Sequence, residues 1–488
     1  MFDVVIIGAG VIGCSIAREL ARYQLDIGVI EKNDDVASGS SKANSGIIHA
    51  GEDPIPGTMK AKMNIRGNEM FDQLQKELDF PFKRTGSMVL CFDESELPKL
   101  EELRQRGIAN GVPDTMYRVD RKEALILEPN LSDKVVAALV LPTGGIVCPY
   151  EFTIALAENA HENGVTFLFD TECIAMNKNE EKFIITTNKG SIEAKLVINA
   201  AGVYADDINH YISEIKYNII ARKGEYILLD KSAGALVSRT LFQLPTKMGK
   251  GILVTPTVSG NLLIGPTAKD LENKHNKETT GEGLKEVLDK AGLSIQNVSI
   301  QSVITAFAGL RAHEENGDFI IGESEDVKGL INVIGIESPG LTSAPAIGEY
   351  VRNIVVGKTK APFNSKFNPI RKNRVKFATA TEQQRKVLIK QDKRYGKIVC
   401  RCENVTEAEI VQAIKAPLGA KTIDAIKKRT RAGMGRCQLG FCMNRVIEVL
   451  AEELHISLEE VTKCGGVSQV LLGNIKEDLQ AGRGSDHV

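Results

Sequence analysis

Four cysteines near the C-terminus stand at a spacing that can hold a redox-active metal centre: Cys400 and Cys402 in "VCRCENVTEAEI", Cys437 and Cys442 in "TRAGMGRCQLGFCMNRV". The pattern is C-x-C, a gap of thirty-four residues, then C-x4-C. Zinc sites usually draw on C-x2-C pairs set in short turns. A [2Fe–2S] cluster, held by four thiolates with amide donors around its sulfurs, suits the glycine-rich approach "GMGRC" better; zinc remains the alternative. Thr406 and Glu409 form a capping-box pattern, so a helix is expected just after Cys402, and "CQLGFCMNRVIEVLAEEL" leads into an amphipathic helix after the second pair. Thiolates at helix N-termini are favoured by amides and dipole, and Arg429, Arg431 and Arg436 add positive charge. The other five cysteines read differently. Cys14, Cys91, Cys148 and Cys173 are scattered through apolar segments as inert buried thiols, and Cys464 lies outside the pattern as a free thiol. An odd total of nine excludes a simple disulfide framework.

The second chemical signature is at the other end of the chain. "FDVVII" is a short apolar run suited to a buried parallel strand, and "GAGVIGCSIARELARY" follows at once, with Gly8, Gly10 and Gly13 in G-x-G-x-x-G register. The first glycine allows the tight turn, the second lets backbone approach a pyrophosphate, and the third lets helix and strand pack. Helix amides then meet phosphate charge. Glu31 ends the next apolar run, "DIGVIEK", where a carboxylate can accept from a ribose. Three later stretches return to the same site: the small, hydroxyl-rich "ASGSSKANSGIIHAG", the strand and turn "AKLVINAAGVYAD", and "GLINVIGIESPGLTSAPAIGEYV", whose helix runs on from about Ala344. A helix N-terminus there can face a flavin carbonyl. So many returns exceed what a minimal NAD domain needs and favour FAD.

From Met1 to about Gly357 the chain resembles the FAD-dependent oxidoreductases of the D-amino-acid oxidase superfamily. Within it, "SSKANSGIIHAG", "ARKGEYILLDK" and "TAFAGLRAH" are similar to the glycerol-3-phosphate dehydrogenases and to the L-2-hydroxyglutarate dehydrogenases. The resemblance implies FAD extended over a Rossmann domain and touched at Gly8, Gly10, Gly13, Glu31, Ser41, Asn199, Ala200, Gly202, Gly340, Leu341 and Thr342. It implies Arg311 as an anion clamp and His49, on the loop beside the flavin, as base or polariser, with His313, Arg222 and Lys60 as further pocket candidates. Competing expectations are that Arg311 pairs with Glu314 or Glu315, and that Arg222 and Lys223 form a solvated face beside Glu225. The cysteine segment resembles the small helical [2Fe–2S] domain of bacterioferritin-associated ferredoxin, in the form fused to anaerobic glycerol-3-phosphate dehydrogenases. That implies Cys400, Cys402, Cys437 and Cys442 as cluster ligands.

These groups need three frames. The expected architecture is α/β: a Rossmann-type FAD domain (about 1–75, 150–210 and 320–357) with a mixed-sheet substrate domain (about 75–150 and 210–320), then a basic linker over 358–396, a [2Fe–2S] domain over 397–455 and a tail over 456–488. "EYILLD", "GILVTPTVSGNLLIGPT" and "DFIIGE" read as strands and a hairpin over the flavin. With 61 basic and 63 acidic residues, no global field recruits nucleic acid. No run of apolar residues is long enough to span a membrane, and "MFDVVIIGAG" offers no leader. Cytoplasmic residence is therefore expected, with peripheral attachment at the membrane's inner face left open. Hydride transfer gives a flavin two electrons at once, whereas a [2Fe–2S] centre carries one at a time, so the tail reads as an exit wire toward a partner protein. The leading expectation is oxidation of a small anionic hydroxy substrate, sn-glycerol 3-phosphate, to dihydroxyacetone phosphate. L-2-hydroxyglutarate or another 2-hydroxyacid is the first alternative, and an electron-transfer flavoprotein subunit the second.

Overall fold

The computed structural model describes residues 1–245, 251–371 and 374–473. The chain divides into two compact units, Met1–Lys372 and Asn373–Val488.

In the first unit, strand Phe2–Ile7 lies at the centre of an eight-stranded sheet, paired in parallel with Ile27–Ile30 on one side and Gly190–Asn199 on the other. Val4, Val5 and Ile6 are fully buried, as a strand covered on both faces requires. Thr166–Leu168 and Leu330–Ile334 extend the parallel part, and the strands Cys173–Lys178 and Phe183–Thr187 add an antiparallel ribbon. Helix Val11–Leu20 follows the glycine turn and packs between helices Pro149–Glu162 and Gly340–Thr359. The packing is close: a Cβ on Gly13 would fall 1.9 Å from Gly8 O, and one on Gly8, at φ 107°, would fall 2.6 Å from Ala200 O.

A nine-stranded mixed sheet forms the second layer of this unit. Its spine is the antiparallel pair Ile219–Leu229 and Val303–Glu314, and the hairpin strands Leu253–Pro256 and Leu262–Gly265 connect that pair to Thr240–Gln243 and the rest of the sheet. Chain segments on either side of helix Pro149–Glu162 build it, since Ser87–Cys91 and Ala137–Leu141 belong to the same sheet. "DFIIGE" departs from the expectation. Its strand Ile320–Glu323 pairs with Leu330–Ile334 in the dinucleotide sheet, because the tight turn between them returns the chain to that sheet's edge.

The second unit is a small helical bundle. Helices Glu407–Ile414, Ile423–Thr430 and Met443–Leu454 enclose a core that includes Ile410, Ile426, Val446 and Leu450, all fully buried. The capping box of Thr406 and Glu409 forms as the sequence requires.

The basic stretch 358–396 is held by specific contacts along its length. Arg371 makes a buried ion pair with Glu158 at 2.7 Å, and Phe363 bridges to Tyr23, which fastens its first part to the first unit. From Phe377 onward it belongs to the second: Phe377 N–H donates to Glu409, and Tyr395 packs with Phe377 and Ala408. Charge counting overlooked those aromatic anchors. Of the expected tail, residues 474–488 lie outside the described residues.

Candidate functional site

A cavity of about 930 Å³ opens in the first unit between its two sheets. Gly8, Gly10, Glu31, Ser41, Ala200 and Gly202 border it on the dinucleotide side. The N-terminus of helix Val11–Leu20 has no side-chain cap, and its Val11 amide is held by Ser41 Oγ at 2.9 Å. Glu31 fixes the turn from beneath, accepting from Ala9 N–H at 2.9 Å and Asn33 N–H at 3.0 Å. Gly202 has open space where a Cβ would stand. A cavity floored by a glycine turn, a helix N-terminus and the Glu31 carboxylate fits a dinucleotide such as FAD. Gly340 and Leu341 border it further along, where helix Gly340–Thr359 begins, also without a side-chain cap.

Three expected cofactor residues do not border the cavity. Asn199 is fully buried and spends its amide on Ala205 O and Asn332 Oδ1, tying parallel strands together. Thr342 is also fully buried; its Oγ1 accepts the His49 amide at 2.9 Å, so it pins the His49 loop to the helix. Gly13 serves helix packing, as its spacing requires.

The remaining cavity wall carries the chemistry. His49 borders it, with its ring stacked on Phe242 at 5.6 Å and Nε2 3.3 Å from Ser338 Oγ. Its carbonyl accepts from Asn68 Nδ2 at 2.8 Å, which adds a second backbone restraint. Arg311 borders the same wall and donates to the carbonyls of Thr267 at 2.7 Å and Arg222 at 3.4 Å. It pairs with neither Glu314 nor Glu315. Burial pushes its guanidinium below its ordinary value, while Tyr226 and Glu337 act in the opposite direction. With no ion-pair partner among the described residues, it is a half-buried cation on the wall of an open cavity.

Arg222, directly across the ladder, is instead held by Asp270 in a two-pronged pair at 2.6 and 3.0 Å. Lys223 departs from the solvated face expected of it: it and Glu225 are an inward ion pair at 3.0 Å, each 3% exposed. Lys60 Nζ and His313 Nδ1 both contact Glu337 Oε1, at 2.7 and 3.0 Å. Burial alone would raise the Glu337 carboxyl, but the His313 hydrogen bond and Lys60 hold it down at about 2. Lys60 and Glu337 border the cavity; His313 stands behind them. Sequence reasoning missed Glu337, Ser338, Tyr226 and Phe242. The sequence signal for Glu337 and Ser338 is "ESPG" before the helix.

In the second unit the four clustered cysteines come together as two pairs. Cys402 Sγ and Cys437 Sγ stand 3.6 Å apart, close to the roughly 3.7 Å separating two thiolates on one tetrahedral ion at 2.3 Å bond length. Cys442, the N-cap of helix Met443–Leu454, is hydrogen-bonded to Cys400. Burial, then Cys400 and Cys437, push the Cys442 thiol up to about 12, and a cationic centre is what lets such neighbours ionise together. Among the described residues no three acidic, histidine or cysteine side chains converge on a single metal ion. Two pairs suit the two irons of a [2Fe–2S] rhomb better than one zinc. The loop between Cys437 and Cys442 turns through left-handed Gln438 (φ 45°) and Leu439 (φ 75°), a strained path typical of a functional site. Gly435 lies so close to Cys402 that a Cβ there would come 2.3 Å from the Cys402 Cβ. Of the arginines expected to help, Arg429 is buried and donates to Ala425 and Leu418 carbonyls, and Arg431 pairs with Glu403 at 2.9 Å.

A doubly layered dinucleotide fold with a cation and a histidine on one cavity wall, followed by a four-cysteine helical unit, defines a flavin oxidoreductase with an iron–sulfur module. The chain belongs to the FAD dependent oxidoreductase family, whose model matches residues 3–354, and a BFD-like [2Fe-2S] binding domain matches residues 398–452. Its cofactors are FAD and a [2Fe–2S] cluster. It is 52% identical to a glycerol 3-phosphate dehydrogenase of Caloramator mitchellensis, over 98% of this chain and 100% of that protein. It is 34% identical to a glycerol 3-phosphate oxidase of Mycoplasma pneumoniae, over 75% of this chain and 98% of the relative. The structure of the dithionite-reduced L-alpha-glycerophosphate oxidase from that organism, with FAD bound, superposes with a TM-score of 0.74 at 31% identity, covering 77% of this chain and 99% of that one. No helix among the described residues is long and apolar enough to cross a membrane.

Proposed function

We propose that this chain is a dehydrogenase that oxidises sn-glycerol 3-phosphate to dihydroxyacetone phosphate, its electrons leaving through the cysteine unit to a partner protein. The observation that carries the reading is Arg311: a half-buried guanidinium on the cavity wall whose hydrogen-bond partners among the described residues are carbonyls, a fit for a small substrate's anionic group. The names of the relatives at 52% and 34% identity support glycerol phosphate as that substrate.

FAD would be held by Gly8, Gly10, Glu31, Ser41, Ala200, Gly202, Gly340 and Leu341, and the cluster by Cys400, Cys402, Cys437 and Cys442. When bound, they supply a hydride acceptor and a one-electron carrier. The residues of the chain do the rest. Arg311 binds the phosphate and fixes which end of the substrate enters first. His49 takes the proton of the secondary hydroxyl at an imidazole nitrogen, its loop fixed by Thr342 and Asn68 and its ring by Phe242 and Ser338. Lys60 borders the cavity as a cation already paired with Glu337, so it leaves the anion to Arg311.

Anaerobic titration of the purified protein decides the matter. Glycerol 3-phosphate is expected to bleach the flavin bands and then the broad cluster absorbance, while L-2-hydroxyglutarate at equal concentration bleaches neither. Bleaching by L-2-hydroxyglutarate alone reassigns the substrate, and bleaching by dithionite only makes the chain an electron relay.

A further inference from the structure

The four cysteines are not equally covered. Cys400 and Cys442 are buried, Cys437 is half-buried and Cys402 is exposed, so the cluster's accessible edge is the side of the Cys402–Cys437 pair. Each of these two outer cysteines is preceded directly by an exposed arginine, Arg401 and Arg436. The pairing of Cys402 with Cys437 therefore brings two Arg-Cys dipeptides together at one edge.

Apart from the thiolates themselves, no acidic side chain of the two ligand loops is left to neutralise this edge. The ligand loops Ile398–Thr406 and Arg431–Cys442 contain one acid, Glu403, which is buried and already paired with Arg431 at 2.9 Å. Lys397, just outside, is neutralised by Glu407 at 3.1 Å. Arg401 and Arg436 make no ion pair with any described acid. Phe441, adjacent to the inner ligand Cys442, is 92% exposed at the turn of the second loop, a position where a large apolar side chain serves no packing role in its own unit. An exposed aromatic side chain on the same ligand loop as Arg436 is the composition of a contact centre, not of an ordinary solvated loop.

We infer that Arg401, Arg436 and Phe441 form the docking edge for an acidic one-electron carrier protein that takes electrons from the cluster. The inference rests on the proposed function for the presence and direction of electron flow. Each transfer oxidises the cluster by one electron and reduces one carrier by one electron, so two carriers are reduced per alcohol oxidised. Electrostatic steering makes association fast and salt-sensitive, and a small aromatic-centred contact keeps it transient, as repeated single-electron delivery needs.

The test uses the full-length holoprotein, reduced with dithionite and freed of excess reductant, mixed in a stopped-flow instrument with an acidic blue-copper protein, a basic c-type cytochrome or ferricyanide. Cluster reoxidation by the acidic carrier is expected to outpace that by the basic one, and to slow by tenfold or more between low and high salt. The double variant R401E/R436E reverses the preference, while F441S slows the acidic carrier and leaves ferricyanide unaffected. Visible and EPR spectra confirm an intact cluster in each variant. Unchanged rates in R401E/R436E overturn the inference. So does an effect confined to reduction of the cluster by glycerol 3-phosphate, which would mean the edge meets the chain's own flavin unit. Arginine-dependent sedimentation with phosphatidylglycerol vesicles, without any effect on carrier rates, would assign the edge to a lipid surface instead. Failure of the underlying reading looks different: no cluster signal at all, or a cluster that dithionite reduces and glycerol 3-phosphate does not.

Discussion

Arg311 lies directly opposite Arg222 on the antiparallel pair Ile219–Leu229 and Val303–Glu314, yet of the two only Arg222 has a carboxylate partner. Asp270 neutralises the one and carbonyls merely orient the other. The asymmetry predicts unequal cost. Arg311→Met is expected to lower kcat/KM for glycerol 3-phosphate on the order of 10³-fold, mostly through KM, since a buried charge pair with the substrate is lost. Arg311→Lys recovers only part of this because the two-pronged fork is gone. Arg222→Met changes KM by less than about tenfold. Steady-state kinetics with an artificial acceptor decides it; equal effects from the two substitutions would mean the anion sits between them.

His49 is restrained at its amide, carbonyl and ring, more than a bystander in an apolar loop needs. His49→Gln is predicted to reduce the rate of anaerobic flavin reduction by about 10²- to 10⁴-fold with little change in substrate affinity, the range for a lost general base. A variant that keeps its rate of flavin reduction would leave His49 a purely structural residue.

Glu337 gives a stability prediction with a definite sign. Its carboxyl is held at about 2 in the folded chain against an ordinary 4.5, so the folded state favours the ionised form. The stabilisation is present above pH 4.5 and is lost as pH falls toward 2; it amounts to roughly 3 kcal/mol. Glu337→Gln removes this acid-dependent component, so wild type and variant should converge in stability as pH falls from 4.5 to 2. Denaturant unfolding across that window measures it. A stability difference independent of pH would place the effect in packing alone.

The parts of the site that depend on backbone path were readable in the sequence. A glycine turn after an apolar strand has few alternatives, and cysteine spacing beside a capping box fixes where two loops must meet. What escaped were groups whose role depends on register across the sheet. Nothing local distinguishes Lys223, sealed against Glu225, from a solvated lysine, nor marks Glu337 as the carboxylate shared by Lys60 and His313, which arrive from distant segments. Asn199 and Thr342 were legible as site-proximal but not as inward-facing, because a one-residue change of strand or helix phase decides between cofactor and core. The composition of the basic stretch shows that it is charged but not where it is held: Arg371 and Phe377 anchor it by specific contacts that a charge count does not register.

Removing one cysteine separates the two halves of the proposed electron path. Cys402→Ser should abolish the cluster's EPR signal and most of the bound iron while leaving flavin bleaching by glycerol 3-phosphate intact, because the cavity and the cysteine unit belong to different compact units. Turnover with a one-electron protein acceptor is then expected to fall at least tenfold, and turnover with a two-electron dye to persist. Cys464→Ser, at an exposed thiol outside the ligand pattern, serves as the control and should change neither iron content nor rate. Gly435→Ala tests the same site without touching a ligand. Its new Cβ would come 2.3 Å from the Cβ of Cys402, so the loop must shift and iron retention should drop even though all four thiols remain. Full iron occupancy in Gly435→Ala would show that the two ligand loops approach each other less closely in the holoprotein than the 3.6 Å sulfur separation requires.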